Sequence, residues 1–256
     1  MNKFMHTNLG EGDTGRYAIV PGSPERTARI AAFLENPEKI AQNREHTTWC
    51  GFLEGELVTV TSTGMGGPST AICMEELVQC GVDTFIRIGT AASTSHKVAL
   101  GDIVIPNGTV RMEGTGLHYL PMEFPAVPDA LLVEMLVQAA NQLGYPSAVG
   151  ISITKDSYYT EINPETKPIG YELVKKWKAY EKGGAVATSM EEATLFLVAA
   201  SLGVRAASVL VSATNYKDET SSDTSSSAYP ADTEVRAIKT GVEGLRRLIL
   251  QERKNS

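Results

Sequence analysis

An α/β fold with a largely parallel or mixed sheet is the fold class that this sequence predicts. Seven runs rich in Val, Ile and Thr recur along the chain, and several are continuously apolar, as strands buried on both faces are. Segments with helical periodicity alternate with these runs. No internal repeat is visible, and 256 residues with 42% hydrophobic content are enough to bury a sizeable core. We therefore expect one domain over residues 1–256.

The predicted strands lie at 17–20, 57–63, 84–90, 102–110, 149–154, 185–190 and 206–215. The predicted helices lie at 69–80, 129–143, 191–202 and 231–252. The first helix begins after Pro68 and ends at Gly81, a usual placement of proline and glycine at helix ends. Residues 155–170 look irregular. The segment 217–231 has almost nothing able to pack, so it is either a solvated loop or a lid over a site.

Charge and composition exclude several classes of function. The net charge is −7, and no basic run provides the clustered lysines and arginines that a nucleic-acid interface needs. Three cysteines lack metal-ligand spacing and make an odd count, which favours a reducing compartment over a disulfide framework. No secretory signal and no stretch of 18 apolar residues is visible. We expect a cytoplasmic protein without nucleic-acid or membrane partners.

Glycines and arginines stand where three predicted strands end. Gly22 and Arg26 follow the first strand, a glycine-rich turn at 64–67 follows the second, and Arg87 and Thr90 lie at the end of the third. Ligands of open α/β sheets bind at the carboxyl ends of strands, where glycine lets an anion approach backbone N–H groups. A phosphate site made of arginines and amides fits this pattern. Tight packing of each turn is the alternative explanation.

Two further groups of polar residues carry open alternatives. Arg44 is another candidate anion ligand, or else a surface partner of Glu45. A carboxylate at Glu191 could accept hydrogen bonds from ribose hydroxyls, or else Glu191 and Glu192 only stabilise a helix N-terminus. The sequence has no P-loop, GxGxxG, GxSxG or HExxH motif, which argues against common mononucleotide folds and against serine or zinc hydrolases.

Taken together, these segments resemble the nucleoside phosphorylase family, and most closely its uridine phosphorylase branch. The resemblance covers nearly the whole chain, with landmarks at 21–26, 44–48, 62–70, 85–90, 111–114, 123–127 and 190–195. It implies a three-layer α/β/α fold and a pentosyltransferase that cleaves a nucleoside with inorganic phosphate to free base and ribose 1-phosphate. It also implies no required cofactor and a homo-oligomer, from a dimer to a hexamer built from dimers.

The resemblance assigns roles residue by residue. It implies phosphate ligands at Gly22, Arg26, Arg87 and Thr90, with Arg44 reaching the same phosphate from a neighbouring subunit. It implies ribose contacts from His6, which would reach the 5′-hydroxyl across the subunit boundary, and from Met190 and Glu191. Glu45 and Ser69 match positions that in some members hold a monovalent cation such as K⁺ between subunits.

The base-binding half departs from the family. A Gln and an Arg that read uracil are missing after Tyr158-Tyr159, and a late-strand arginine is replaced, most closely by Ala213. Ser189 stands where the family has a glutamate. Tyr158, Glu161, Ser189 and Ala213 are the remaining candidates. Buried polar groups of uracil would then lack partners, so we expect uridine to be handled poorly and leave the accepted base open.

Two other functions compete with phosphorolysis. A related nucleosidase would use water, which has no need of the arginines at 26, 44 and 87. A nucleoside-binding or sensing protein without turnover would fit the replaced base-reading residues.

Overall fold

A central nine-stranded mixed sheet organises the computed structural model, which describes residues 3–215 and 232–255. The strands are β1 (Tyr17–Pro21), β2 (Glu35–Asn43), β3 (His46–Leu53), β4 (Glu56–Thr61), β5 (Thr84–Ser93), β6 (Ile103–Met112), β7 (Ser147–Lys155), β8 (Ala187–Ser189) and β9 (Arg205–Asn215). Their order is β2-β3-β4-β1-β5-β8-β7-β6-β9, and β9 also pairs with β5. The second half of the sheet therefore closes on itself.

The described ranges contain seven α-helices, of which six lie between strands and the seventh follows β9. They are α1 (Pro24–Ala31), α2 (Gly67–Gln79), α3 (Ala130–Gln142), α4 (Tyr159–Ile162), α5 (Gly170–Lys182), α6 (Glu192–Leu202) and α7 (Thr233–Asn255). Short 3₁₀ segments lie at Thr115–His118 and Pro164–Thr166. The side chain of Ser23 accepts a hydrogen bond from Glu25 N, and that of Asp129 accepts one from Leu132 N, so α1 and α3 begin at capping residues.

Helices cover the sheet on both faces. Along β1, Tyr17 and Ile19 point into one hydrophobic core, and Ala18 and Val20 point into another, because successive side chains of a strand face opposite sides. The first core takes its helical residues from α1, α3 and α7, and the second takes them from α2 and α6. The layers are helix, sheet and helix, as the sequence predicted.

Parallel pairing places the ends of β1 and β4 beside the middle of β5, where Arg87 lies because β5 continues to Ser93. β1 lies between β4 and β5 and is parallel to both, with Val20 opposite Arg87 and Pro21 opposite Ile88. β5 is also parallel to β9, with Arg87 opposite Ser208. The segments that follow β1 and β4 therefore lie beside the middle of β5. We call this side of the sheet, at the carboxyl ends of β1 and β4, the sheet edge.

The elements predicted from apolar runs are confirmed, with ends that differ by a few residues. β2 and β3 were not predicted, and neither was α5. The irregular appearance of 155–170 is wrong in part, since α4 and the segment Pro164–Thr166 lie there. The predicted loop or lid at 217–231 lies outside the described residues.

The three cysteines, Cys50, Cys73 and Cys80, are free thiols and buried. Among the helices of the described ranges, none is long and apolar enough to cross a membrane.

Candidate active site

Two turns at the sheet edge are joined by backbone hydrogen bonds. Thr63 N donates to Pro21 O at 2.8 Å, and Gly64 N donates to Gly22 O at 3.0 Å. Gly64 has a φ of +74°, and a β-carbon built there would stand 2.7 Å from Glu45 Cγ and from Ser69 Oγ. Only glycine fits this conformation and this space. The turn after β1 and the glycine-rich turn after β4 thus form one continuous backbone surface, which we call the floor of the candidate site.

Arg87 lies beside this floor and is 4% exposed. Its Nε donates to Glu192 Oε1 at 2.9 Å, and its Nη2 donates to Glu191. Burial alone would lower the pKa of the guanidinium, but the carboxylates of Glu191 and Glu192 outweigh burial and raise it. Burial raises the pKa of Glu192 despite Arg87. The site therefore holds a fixed cation with carboxylates on two of its three nitrogens.

The third nitrogen of Arg87 faces Gly22. Nη1 is buried and has no hydrogen-bond partner among the described residues. A β-carbon built on Gly22 would lie 3.8 Å from it. A buried polar atom without a hydrogen-bond partner costs free energy. Because Gly22 has no side chain, an anionic ligand could accept a hydrogen bond from this charged donor there.

Arg26, on α1, reaches the part of β5 that follows Arg87, and Thr90 belongs to that part of the strand. Arg26 Nη1 donates to Ile88 O at 3.3 Å, while its other nitrogens bond to Glu234 at the start of α7. Thr90 is half-buried two residues after Ile88. The structure thus brings Gly22, Arg26, Arg87 and Thr90 to one edge of the sheet.

Glu191 links the glycine turn to Arg87. Its Oε1 accepts a hydrogen bond from Gly66 N at 2.8 Å, and its Oε2 accepts from Arg87 and from Met190 N at 3.3 Å. Glu191 is 4% exposed, and Met190 is half-buried beside it. Both lie at the corner between β8 and α6, adjacent to the cluster around Arg87.

Arg44 and His6 are not part of this cluster within one chain. Arg44 is exposed on the turn between β2 and β3, with a φ of +51°. Its expected surface partner, Glu45, forms a hydrogen bond with Ser69 instead. His6 Nδ1 lies 2.7 Å from Glu76 Oε1, and Glu76 is nine residues along α2 from Gly67, or about 14 Å at 1.5 Å per residue.

The pair proposed for a monovalent cation is in contact. Ser69 Oγ donates to Glu45 Oε1 at 2.6 Å, and this bond is the main reason why the pKa of Glu45 is lowered. Within the described ranges, no group of three or more His, Cys, Asp or Glu side chains could hold a metal ion.

Of the four base-binding candidates, only Glu161 is among the residues that line a cavity near the end of β7. Tyr158 is 41% exposed and packs edge to face against Tyr159. Ser189 and Ala213 are buried, and Ser189 Oγ has no hydrogen-bond partner in the part of the chain that the structure describes. The Glu161 side chain, 2% exposed, contacts the ammonium group of Lys155. The lining residues are Met112, Lys155, Thr160, Glu161, Pro164, Leu173 and Trp177.

Several partners at the site were missed from the sequence. Three of them are glutamates, and each bonds to a basic side chain far away along the chain. Glu192 bonds to Arg87, 105 residues away, Glu234 bonds to Arg26, 208 residues away, and Glu76 bonds to His6, 70 residues away. Their only signal is a carboxylate on a mostly apolar helix face. Lys155 had a local signal, because a lysine ending an apolar strand is unusual and costly unless paired.

Comparison with known proteins decides the family. The family model described as the phosphorylase superfamily matches residues 16–249. This chain belongs to the phosphorylase superfamily. It is 39% identical over 247 residues to the uridine phosphorylase of Treponema pallidum, covering 96% of this chain and 95% of that protein. It is 39% identical over 251 residues to the uridine phosphorylase of Escherichia coli, covering 96% and 98%. A guanosine phosphorylase of Halorubrum lacusprofundi is 37% identical over 209 residues, covering 82% of each chain.

The superfamily match and the uridine phosphorylases that align with nearly the whole chain together establish the reaction class. The protein is a pentosyltransferase that cleaves a nucleoside with inorganic phosphate. The nucleosidase and the sensing protein are not favoured. The predicted resemblance, the α/β fold with its mixed sheet and the reaction class are confirmed.

Proposed function

We propose that phosphate binds between Gly22, Arg26, Arg87 and Thr90, and that the ribose lies against Met190 and Glu191. The observation that carries this proposal is Arg87 Nη1, a buried cationic donor that faces Gly22 without a partner among the described residues. Glu191 and Glu192 hold the guanidinium from the opposite side, so the unpaired nitrogen has a fixed direction. A phosphate oxygen would accept a charge-assisted hydrogen bond there.

The chemistry needs little more than position and charge. Cleavage breaks the bond from C1′ to the base nitrogen, and a phosphate oxygen forms the new bond to C1′. The sugar passes through a cationic state, so an anion held beneath it lowers the barrier by proximity and by electrostatics. The Glu191 carboxylate accepts hydrogen bonds, which suits it to orient ribose hydroxyls over the phosphate.

Thermal unfolding tests the phosphate site. A ligand present at 100 times its Kd stabilises the folded state by ~2.7 kcal/mol, which for a chain of this size raises Tm by roughly 5–11 °C. Arg87→Lys keeps the cation between the two glutamates but loses the planar fork. Losing one charge-assisted bond of ~1.5–3 kcal/mol weakens phosphate binding by about 10- to 150-fold.

The matched control is Arg29→Lys, because Arg29 shares Glu234 with Arg26 but its side chain is 47% exposed. We expect this variant to keep the Tm rise of the parent in phosphate, measured against chloride at equal ionic strength. Parental phosphate dependence in Arg87→Lys would show that the site is assigned wrongly.

We also propose that the active form is a homo-oligomer, either a dimer or a hexamer built from dimers. Exposure of Arg44 and the distance of His6 from the glycine turn support this, because both would have to act on a neighbouring subunit. Arg44→Ala and Arg87→Lys, each impaired alone, should recover activity when co-expressed, since each mixed pair contains one site with neither substitution. Full activity in a monomeric preparation would contradict the proposal.

The remaining assignments are proposed on the same basis. Glu45 and Ser69 are proposed to bind K⁺ with ligands from a second subunit, supported by their contact at 2.6 Å. The chain is proposed to act as a single domain in the cytoplasm, in nucleoside salvage. Tyr158, Glu161, Ser189 and Ala213 are proposed to surround the base. The relatives' names suggest uridine as the substrate. Measuring kcat/KM on a panel of nucleosides with different bases tests this assignment.

A further inference from the structure

A buried cation that the phosphate site does not use lies at the end of β7. Lys155 is 5% exposed, and its Nζ contacts the Glu161 carboxylate and lies 3.3 Å from Thr188 Oγ1. The aromatic rings of Tyr158 and Trp177 have their centroids 5.8 and 6.0 Å from the same nitrogen. These groups hold the ammonium at one wall of the cavity lined by Met112, Leu173 and Trp177.

This cation lies on the same edge of the sheet as the ribose corner. Thr154, which precedes Lys155, is in register with Ser189 and accepts a hydrogen bond from Ala193 N at 3.0 Å through its Oγ1. Lys155 is therefore next to the corner that carries Met190 and Glu191. A base attached to a ribose at that corner would extend toward the cavity beside Lys155.

The ammonium group of Lys155 lies near two carboxylates, those of Glu161 and Glu191. Burial lowers the pKa of Lys155 to about 7, and the Glu191 carboxylate acts in the opposite direction. The contacting carboxylate of Glu161 also favours the ammonium form. Glu161 Oε1 and Ser189 Oγ are buried and have no hydrogen-bond partners within the described ranges. An acceptor and a hydroxyl therefore remain available to a ligand beside the cation.

We propose that Lys155 stabilises the negative charge that develops on the departing base, and that Glu161 is the positioning residue that holds its ammonium group. When the bond from C1′ to the base nitrogen breaks, its electron pair stays with the base and spreads to a conjugated carbonyl oxygen. Nζ donates a hydrogen bond to that oxygen, and the proton stays on the lysine. This inference rests on the proposed function and names the group that takes over from the missing arginines.

The interaction is stronger in the transition state than with the bound nucleoside, because the oxygen gains charge as the bond breaks. Removing a donor of this kind costs about 100- to 1,000-fold in kcat, with a smaller change in KM. A base that is a better leaving group needs less stabilisation. The loss in kcat should therefore shrink when the ring carries an electron-withdrawing substituent.

The experiment compares the parent with Lys155→Met and with Lys155→Met/Glu161→Gln. The single substitution leaves the Glu161 carboxylate buried without its cation, which by itself is destabilising, whereas the double substitution leaves a neutral pair of similar volume. Lys178→Met, on the exposed surface of α5, is the matched control. Each protein is assayed for kcat and KM with phosphate in excess, on uridine and on 5-nitrouridine, or on the matching pair of whichever base the parent prefers.

We expect both Lys155 variants to lose about 100-fold or more in kcat on the natural nucleoside and at least ten times less on the activated one. The double variant should regain parental resistance to urea without regaining kcat, and Lys178→Met should match the parent. Recovery of parental kcat by the double variant, or an equal loss on both nucleosides, would overturn the role of Lys155. Absence of phosphate-dependent cleavage in the parent would instead overturn the proposed function, and this inference with it.

Discussion

One carboxylate of α2 ties the N-terminal segment to the rest of the protein, and we expect Glu76→Gln to release it. Glu76 Oε1 accepts from His6 N at 3.2 Å and lies 2.7 Å from His6 Nδ1, while Oε2 accepts from Thr7 N at 2.7 Å and Thr7 Oγ1 at 2.8 Å. The amide nitrogen of glutamine cannot accept a hydrogen bond, so one of the two backbone donors, His6 N or Thr7 N, loses its acceptor, and the remaining bonds no longer go to a charged group. We expect the free energy of opening the segment to fall by ~1–3 kcal/mol.

The functional consequence follows from the proposed contact between His6 and the 5′-hydroxyl of ribose in a neighbouring site. One hydrogen bond contributes ~0.5–1.5 kcal/mol, so kcat/KM for a ribonucleoside should fall by about 2- to 13-fold in Glu76→Gln. A 5′-deoxynucleoside lacks that hydroxyl, so its kcat/KM should not change. Hydrogen exchange at residues 5–9 should accelerate in parallel. Glu75→Gln, a substitution of the neighbouring glutamate, is the control, and it should leave both nucleosides unaffected.

Acid should release the segment in the parent. Burial would raise the pKa of Glu76, but the hydrogen bonds from Thr7 and His6 outweigh it and hold the pKa below its usual value. The stabilisation is therefore complete above the unfolded value of about 4.3 and is lost as the pH falls through the lower folded value. An equal fall in kcat/KM for both nucleosides, or unchanged exchange in Glu76→Gln, would refute the reasoning.

Three further outcomes are expected. Arg87→Met leaves two buried carboxylates without their cation and should lower the free energy of unfolding in urea by ~3–5 kcal/mol, whereas a loss below about 1 kcal/mol would mean that the pair is not buried in solution. Gly64→Ala and Gly12→Ala both place alanine at positive φ, which costs ~1–2 kcal/mol of stability in each variant. Of these two positions, only Gly64 has no room for a β-carbon, so its variant should lose ~1–3 kcal/mol more in the same assay. Equal losses in the two variants would contradict the crowding at Gly64. On a panel of uridine, thymidine, cytidine, inosine and adenosine, the replaced base-reading residues predict a kcat/KM for uridine below that of ordinary uridine phosphorylases, and efficient uracil-selective cleavage would show that other residues read the base.

The buried strands were predictable from the sequence, whereas the exposed elements β2 and α5 were not. β1 and β5 are buried almost throughout, and their largely apolar sequences predict a layered α/β fold. β2 reads ENPEKIAQN, with most residues exposed, because it pairs only with β3 at the end of the sheet. α5 buries only Gly170 among its residues. β2 lacks the alternation that predicts a strand, whereas α5 has an apolar stripe, with Leu173 and Trp177 four residues apart, that was not recognised in the sequence.

The proximity of Gly22, Arg26 and Arg87 was predictable from the sequence, whereas the carboxylates that bond to the two arginines were not. Glycines and arginines at strand ends mark Gly22, Arg26 and Arg87, because sheet geometry brings such ends together. The sequence does not say which carboxylates balance these arginines, since Glu192 and Glu234 lie more than 100 residues away from them. Near the base, Lys155 was not predicted, because it lies before the aromatic pair Tyr158-Tyr159, whereas the family's glutamine and arginine follow that pair.

The central claim is phosphorolysis, and a stoichiometric assay of its products tests it most directly. The purified protein is incubated with a nucleoside it cleaves, with and without inorganic phosphate at equal ionic strength, and free base and ribose 1-phosphate are both measured. We predict one ribose 1-phosphate for each base released, and no base release without phosphate. Base release at the same rate without phosphate, with free ribose as the other product, would contradict the account.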